Sequence, residues 1–241
     1  MIVNTNKRPL TKLYSDDGFG TTFIIPKDVK NNALLGHLEK GVLYLNGEVN
    51  EEMAEYVRDA LMLLTFEPPP NGELLVKITS PGGSAAAGFE IHDLLMLFYL
   101  ETGIKVRGLV IGEACSAAAM FLLQGCIIRQ ATENTTIMCH NCLSVGVITE
   151  HNIKSLGWRT KIIRELENVK EKAVTVLTRR TGKTEREVLK MLAHEKFMTA
   201  KEALEFGLLD GVLGFSFKDE KEHEERPQRR KMKKATHEVT E

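Results

Sequence analysis

The stretch Val106-Arg107-Gly108-Leu109-Val110-Ile111, running directly into Gly112-Glu113-Ala114-Cys115-Ser116-Ala117-Ala118-Ala119-Met120-Phe121-Leu122-Leu123-Gln124-Gly125, decides the reading of this chain. Its first part is an apolar run suited to a buried strand, and its second is a helix of small residues that can pack closely. The junction carries Ser116. A strand that turns into a helix at one serine can expose and activate a single hydroxyl, so Ser116 is the candidate nucleophile.

Upstream, Val42-Leu43-Tyr44-Leu45 reads as a buried strand. Asn50 then caps a helix in which Met53, Tyr56, Val57, Ala60, Leu61 and Leu64 recur at helical spacing. Pro68-Pro69-Pro70-Asn71-Gly72 breaks it. Residues 74–78 form the next strand, Gly82-Gly83 turns the chain, and residues 85–100 form an apolar helix that stops at Gly103. Downstream, short strands are expected over residues 127–129 and 135–139, the second ending at His140. A long helix over residues 152–180 follows, with Ile162, Ile163, Leu166, Val169, Ala173, Val176 and Leu177 on one stripe and Gly182 closing it. Thr184 with Glu187, and Thr199 with Glu202, are capping boxes for two short helices. Glu195 lies in the loop between them. Strands alternating with helices point to an α/β fold.

At 241 residues and 43% apolar content the chain can bury one large core. The expected division is an N-terminal arm over 1–35, whose one apolar run is Phe23-Ile24-Ile25, a folded domain over 36–215, and a charged, disordered tail over 216–241. A net charge of -1 gives no reason to expect nucleic acid as a partner, and no stretch is apolar enough to suggest a signal peptide or a membrane span. A cytoplasmic place is expected. The four cysteines, Cys115, Cys126, Cys139 and Cys142, sit in the middle third and are expected to be reduced thiols. Cys139-His140-Asn141-Cys142 spells CxxC, but it follows a strand where a redox motif would open a helix, and no second metal-spaced pair accompanies it. No metal and no cofactor within the chain is expected.

A serine attacks only when a base takes its proton, and the base needs an acid to hold it in the right tautomer. His140 is the candidate base. The N–H groups of Gly83, in the loop Ser80-Pro81-Gly82-Gly83, and of Ala117, directly after the serine, are candidate oxyanion donors. Each piece has a plainer explanation alone: serine as packing spacer, Pro-Gly-Gly as turn, histidine as structural residue. Their order is what carries the argument.

Five collinear stretches from Val42 to Leu213 resemble the ClpP family of Clp-type serine peptidases. Val42-Leu43-Tyr44-Leu45-Asn46-Gly47-Glu48-Val49 is similar to that family's first core strand, and Lys77-Ile78-Thr79-Ser80-Pro81-Gly82-Gly83 to its oxyanion loop. The segment Gly112 to Gly125 is similar to its nucleophile helix, and Ile137-Met138-Cys139-His140 to its histidine strand. Lys196-Phe197-Met198-Thr199-Ala200-Lys201-Glu202-Ala203 with Gly207-Leu208-Leu209-Asp210 resembles its closing segment. The resemblance implies a crotonase-like ClpP fold of repeated strand–helix units with a long protruding handle helix. It also implies a serine endopeptidase assembled as a heptameric ring or double ring, with peptides or unfolded protein as substrate. ATP would enter only through a Clp-type ATPase partner. Where the family carries an aspartate, this chain has Glu195, one methylene longer; a catalytically silent ring subunit is the alternative. An acyl-thioester enzyme of the same fold is disfavoured, because that chemistry needs neither Ser116 nor His140.

Overall fold

Alternation along the second strand shows how the sheet is built: Leu74, Val76, Ile78 and Ser80 are buried, while Glu73, Leu75, Lys77 and Thr79 face the other side, half-buried or exposed. The structure is a computed structural model and describes residues 34–141 and 155–215. The expected arm run Phe23-Ile24-Ile25, Cys142 and the charged tail lie outside these residues.

In chain order the elements are β1 (Val42–Asn46), α1 (Glu51–Phe66), β2 (Glu73–Ser80), α2 (Ala85–Thr102) and β3 (Lys105–Cys115). A π-helical turn (Ala118–Leu122) and a 3-10 turn (Leu123–Gly125) follow, then β4 (Ile128–Thr132), β5 (Thr136–Cys139), α3 (Leu156–Thr181), α4 (Glu185–Leu192), β6 (Lys196–Thr199), α5 (Ala200–Phe206) and β7 (Gly211–Leu213). The sheet runs β1-β2-β3-β4-β7, with β5 paired to β3 and β6 to β5. Every pairing is parallel except β5 with β6. This is the expected α/β architecture.

The capping signals act as read. Asn50 accepts from the Met53 N–H at 2.9 Å, and Thr184 and Thr199 each close a complete capping box. Gly103, Gly182 and Gly207 end their helices in the left-handed conformation. In two places the structure corrects the expectation. The segment after Ser116 is a π-helical turn followed by a 3-10 turn, rather than an α-helix. On α3 only Ala173 and Leu177 of the apolar stripe are buried, and Ile163 is 55% exposed. The second half of that helix packs on the body, whereas the first half is left largely uncovered by the described residues.

β3 changes partner along its length, which matters for the site. Arg107–Val110 pairs with β4, and Glu113–Cys115 pairs with β5. Between them the β2–β3 register passes from Ile78–Val110 to Ser80–Ala114, so β3 runs four residues while β2 runs two. Gly112 takes φ +79 within this bulge, and Thr79 Oγ1 pins it by donating to the Ile111 carbonyl at 2.7 Å.

Among the described residues no helix covers one face of the parallel sheet. Tyr44, Leu75, Lys77, Arg107, Leu109 and Gln130 are only half-buried there. Polar pairs lace this face: Lys77 Nζ to Tyr44 Oη at 3.2 Å, and Arg107 to both carboxylate oxygens of Glu73 at 2.7 and 2.8 Å. Parallel sheets are ordinarily covered on both faces. Among the described residues no helix is long and apolar enough to cross a membrane.

The closing strand is fastened by charge. Arg129, 5% exposed, donates to Asp210 Oδ2 from its backbone N–H at 2.8 Å and from Nε at 3.0 Å, and Nη1 also donates to the Gly207 carbonyl. Partial burial pushes the Asp210 carboxyl up, but the hydrogen bonds and charge of Arg129, helped by Arg180, outweigh it and hold its pKa below the ordinary value. A lowered carboxylate pKa adds stability that is present above the unfolded value and lost as pH falls through the folded one. Asp210→Asn is therefore expected to destabilise at neutral pH by about 2 kcal/mol, less than a fully buried pair because the carboxylate is screened by solvent. Urea unfolding at pH 7 and at acid pH checks this: the deficit shrinks on acidification, and an equal deficit at both would contradict the assignment.

Candidate active site

Ser116 is the one non-glycine residue with positive φ among the described residues, at +52°. For an L-residue this left-handed conformation carries strain, and such strain is held only where neighbours over-determine it. Here they do. The Ser116 N–H donates to the Met138 carbonyl on β5 at 2.8 Å, and its own carbonyl accepts the Met120 N–H at 2.9 Å, starting the helical turn. β3 ends and the helical segment begins within one residue, as the sequence suggested.

The same β5 that holds Ser116 carries His140 just past its end. His140 Nε2 and Ser116 Oγ lie 2.7 Å apart, a full hydrogen bond between half-buried partners. With the proton on the hydroxyl, the ring nitrogen accepts it, the arrangement a general base requires.

The glycine loop closes the third side. A Cβ at Gly82, where φ is +98°, would stand 2.6 Å from both the Cys115 carbonyl and Ser116 Cβ, and 3.2 Å from the Ala117 nitrogen. Only glycine lets the loop come this close. Gly83, at φ +147°, has no room either, since its Cβ would collide with the Val49 backbone. Val49 fastens the loop from both sides: its N–H donates to the Gly82 carbonyl at 2.8 Å and its carbonyl accepts the Ser84 N–H at 2.7 Å. The buried Ser80 hydroxyl accepts the Gly82 N–H at 3.1 Å. No backbone acceptor among the described residues takes the N–H of Gly83 or of Ala117. Both candidate oxyanion donors are thus available beside the serine.

Glu195 lies in the loop before β6, as expected. β5 and β6 pair antiparallel with Cys139 opposite Lys196, so one further step of the register sets Glu195 opposite His140. The register thus sets the backbone of Glu195 across from that of His140. Its side chain is exposed, and no hydrogen bond or ion pair joins it to the imidazole. The structure brings Ser116, His140, Gly83 and Ala117 together and leaves the carboxylate of Glu195 beside the cluster.

The cysteines take no part in this geometry. Burial, with a lesser contribution from Cys115, pushes the Cys139 thiol up to about 12, and burial with Glu113 nearby raises Cys115. Both therefore stay protonated and unsuited to metal binding or attack at neutral pH. Among the described residues no group of three or more metal-ligating side chains comes together. Two features were not anticipated: the left-handed Ser116 and the π-helical turn after it. The dense run of alanines was their only trace in the sequence.

Comparison with known proteins agrees with this geometry. The family model described as Clp protease matches residues 27–215. The chain is 28% identical over 195 residues to the ATP-dependent Clp protease proteolytic subunit of Carsonella ruddii (strain PV), an alignment covering 79% of this chain and 94% of that protein. With a family model spanning most of its length and the serine, histidine and glycine loop arranged as described, the chain belongs to the Clp protease family.

Proposed function

We propose that this protein is a serine endopeptidase that cleaves peptides or unfolded protein within an oligomeric chamber. The observation that carries the proposal is the 2.7 Å bond between Ser116 Oγ and His140 Nε2. As Ser116 attacks the scissile carbonyl, His140 takes the hydroxyl proton and the carbonyl π electrons move onto oxygen. The Gly83 and Ala117 N–H groups receive that oxyanion, each such donor being worth about 10² to 10³ in turnover. His140 then returns the proton to the leaving amine, and water releases the acyl group by the same route. Glu195 orients the imidazole by rotating toward it from the opposite register position. No cofactor within the chain is needed.

The uncovered sheet face supports assembly. Met62, Leu63 and Phe66 leave an exposed apolar edge on α1, with Phe66 79% exposed. An apolar edge and a half-bare sheet face on different sides of one chain suit head-to-tail contact between copies, the kind that closes rings. The half-bare first part of α3 suits contact between rings. The Carsonella relative is named as ATP-dependent, and an ATPase partner that feeds substrate is part of the reading.

The second reading, a catalytically silent ring subunit, is favoured by one observation: the Glu195 side chain makes no bond to His140. A fluorophosphonate probe separates the two. Labelling of the wild type that disappears in Ser116→Ala supports the peptidase, and an assembled ring that does not label supports the silent subunit.

Further outcomes follow from the mechanism. A histidine base works only when neutral, so peptide cleavage is expected to rise from acid to neutral pH. A flat profile would contradict His140 as base. Glu195→Gln is expected to lower turnover at least tenfold without changing assembly, and unchanged turnover would remove Glu195 from the mechanism. Sedimentation velocity is expected to show a ring-sized particle; a monomer would end the chamber proposal.

A further inference from the structure

Gln124 is fully buried at the far end of the helical segment that Ser116 opens. A buried primary amide is costly unless both of its ends are bonded. Here both are. Nε2 donates to the Ala119 carbonyl at 2.9 Å and more weakly to the Leu208 carbonyl at 3.4 Å, while Oε1 accepts from Arg129 Nη1 at 2.7 Å.

The Ala119 carbonyl belongs to the π-helical turn Ala118–Leu122, where the Leu123 N–H reaches back five residues to the Ala118 carbonyl. The side-chain amide of Gln124 repeats that five-residue reach one position further on. A π turn is less favourable than an α turn and persists where surrounding structure holds it. Its outer end is anchored: Phe121 stacks on Phe89 with ring centroids 4.0 Å apart, and Leu122 and Leu123 are buried. Relaxing the turn to α geometry would remove one residue from it. With that end fixed, the residues before it would rotate by about 100° around the helix axis. Those residues are Ser116 and Ala117.

We infer that Gln124 is a positioning residue for catalysis, its amide holding the π-helical turn so that the Ser116 hydroxyl faces His140 and the Ala117 N–H faces the oxyanion. Arg129 fixes the amide's orientation, since a guanidinium donates only and so must meet Oε1, and Asp210 fixes Arg129 in turn. The inference rests on Ser116 being the nucleophile and adds the device that aligns it.

Gln124→Glu tests it. The variant keeps the side chain's size and its acceptor toward Arg129 but sets a carboxylate oxygen against the Ala119 carbonyl. Phosphonylation of Ser116 by a fluorophosphonate is expected to slow at least tenfold and kcat on a short peptide to fall in parallel, while KM of the folded variant changes less than twofold and its Tm falls because the carboxylate is buried against a carbonyl. Amide exchange in a peptide covering residues 118–123 is expected to quicken. Gln124→Met, which keeps the volume and loses both bonds, gives the same result if the first variant does not fold. In the wild type, NMR is expected to find the Gln124 side-chain amide protons protected from exchange, and rapid exchange there would overturn the inference without any variant. Equal phosphonylation and kcat in a folded variant would overturn it while leaving Ser116 as nucleophile. A wild type that is never phosphonylated at Ser116 would overturn both.

Discussion

One backbone hydrogen bond organises the site: the Ser116 N–H to the Met138 carbonyl, 2.8 Å long. It ties the end of β3 to β5, the strand that delivers His140 two residues later. It extends the β3–β5 pairing, Glu113–Cys115 against Thr136–Met138, by one bond and carries it up to the serine itself. With it, groups 24 residues apart in sequence meet at 2.7 Å. The change of partner by β3, from β4 to β5 across the Gly112 bulge, is what makes the tie possible. Fold and chemistry meet at this point, because the same strand pairing that closes the sheet orients the reacting groups.

Close approach is the second constraint. The Gly82-Gly83 loop and the Ser116 turn press together so tightly that a single methyl at residue 82 would collide with the Cys115 carbonyl and with Ser116 Cβ. Gly88 on α2 lies similarly close, with room for a Cβ only 3.0 Å from Phe121 and 3.3 Å from Ala117. Small residues on both sides let three elements converge on one hydroxyl. Val49 and Ser80 then satisfy polar groups of the loop, and among the described residues no backbone acceptor takes the Gly83 N–H. The strain at Ser116 is held in place by this convergence.

Much of the fold was legible in the sequence because its signals are local. Asn50, Thr184 and Thr199 cap helices through their own side chains, and Gly103 and Gly182 end them through their own backbones. The pairing of Ser116 with His140 was legible in a different way, through the order of short motifs and their resemblance to a family. What could not be read depends on contacts distant in sequence. Gln124 beside the π turn is held by Leu208 and, through Arg129, by Asp210, and α3 reads as an ordinary amphipathic helix although among the described residues only its second half is buried. The orientation of the Glu195 side chain was equally beyond reach, since register places a Cα but not a carboxylate.

The central claim is spatial: one hydroxyl, one imidazole and two main-chain amides converge on a single reacting carbon. A crystal structure of the chain after reaction with diisopropyl fluorophosphate measures it most directly. The account predicts phosphorus bonded to Ser116 Oγ, a phosphoryl oxygen about 3 Å from the nitrogens of Gly83 and Ala117, and the His140 imidazole within hydrogen-bond reach of the adduct. An adduct on another residue, or a phosphoryl oxygen turned away from both amides, would contradict it.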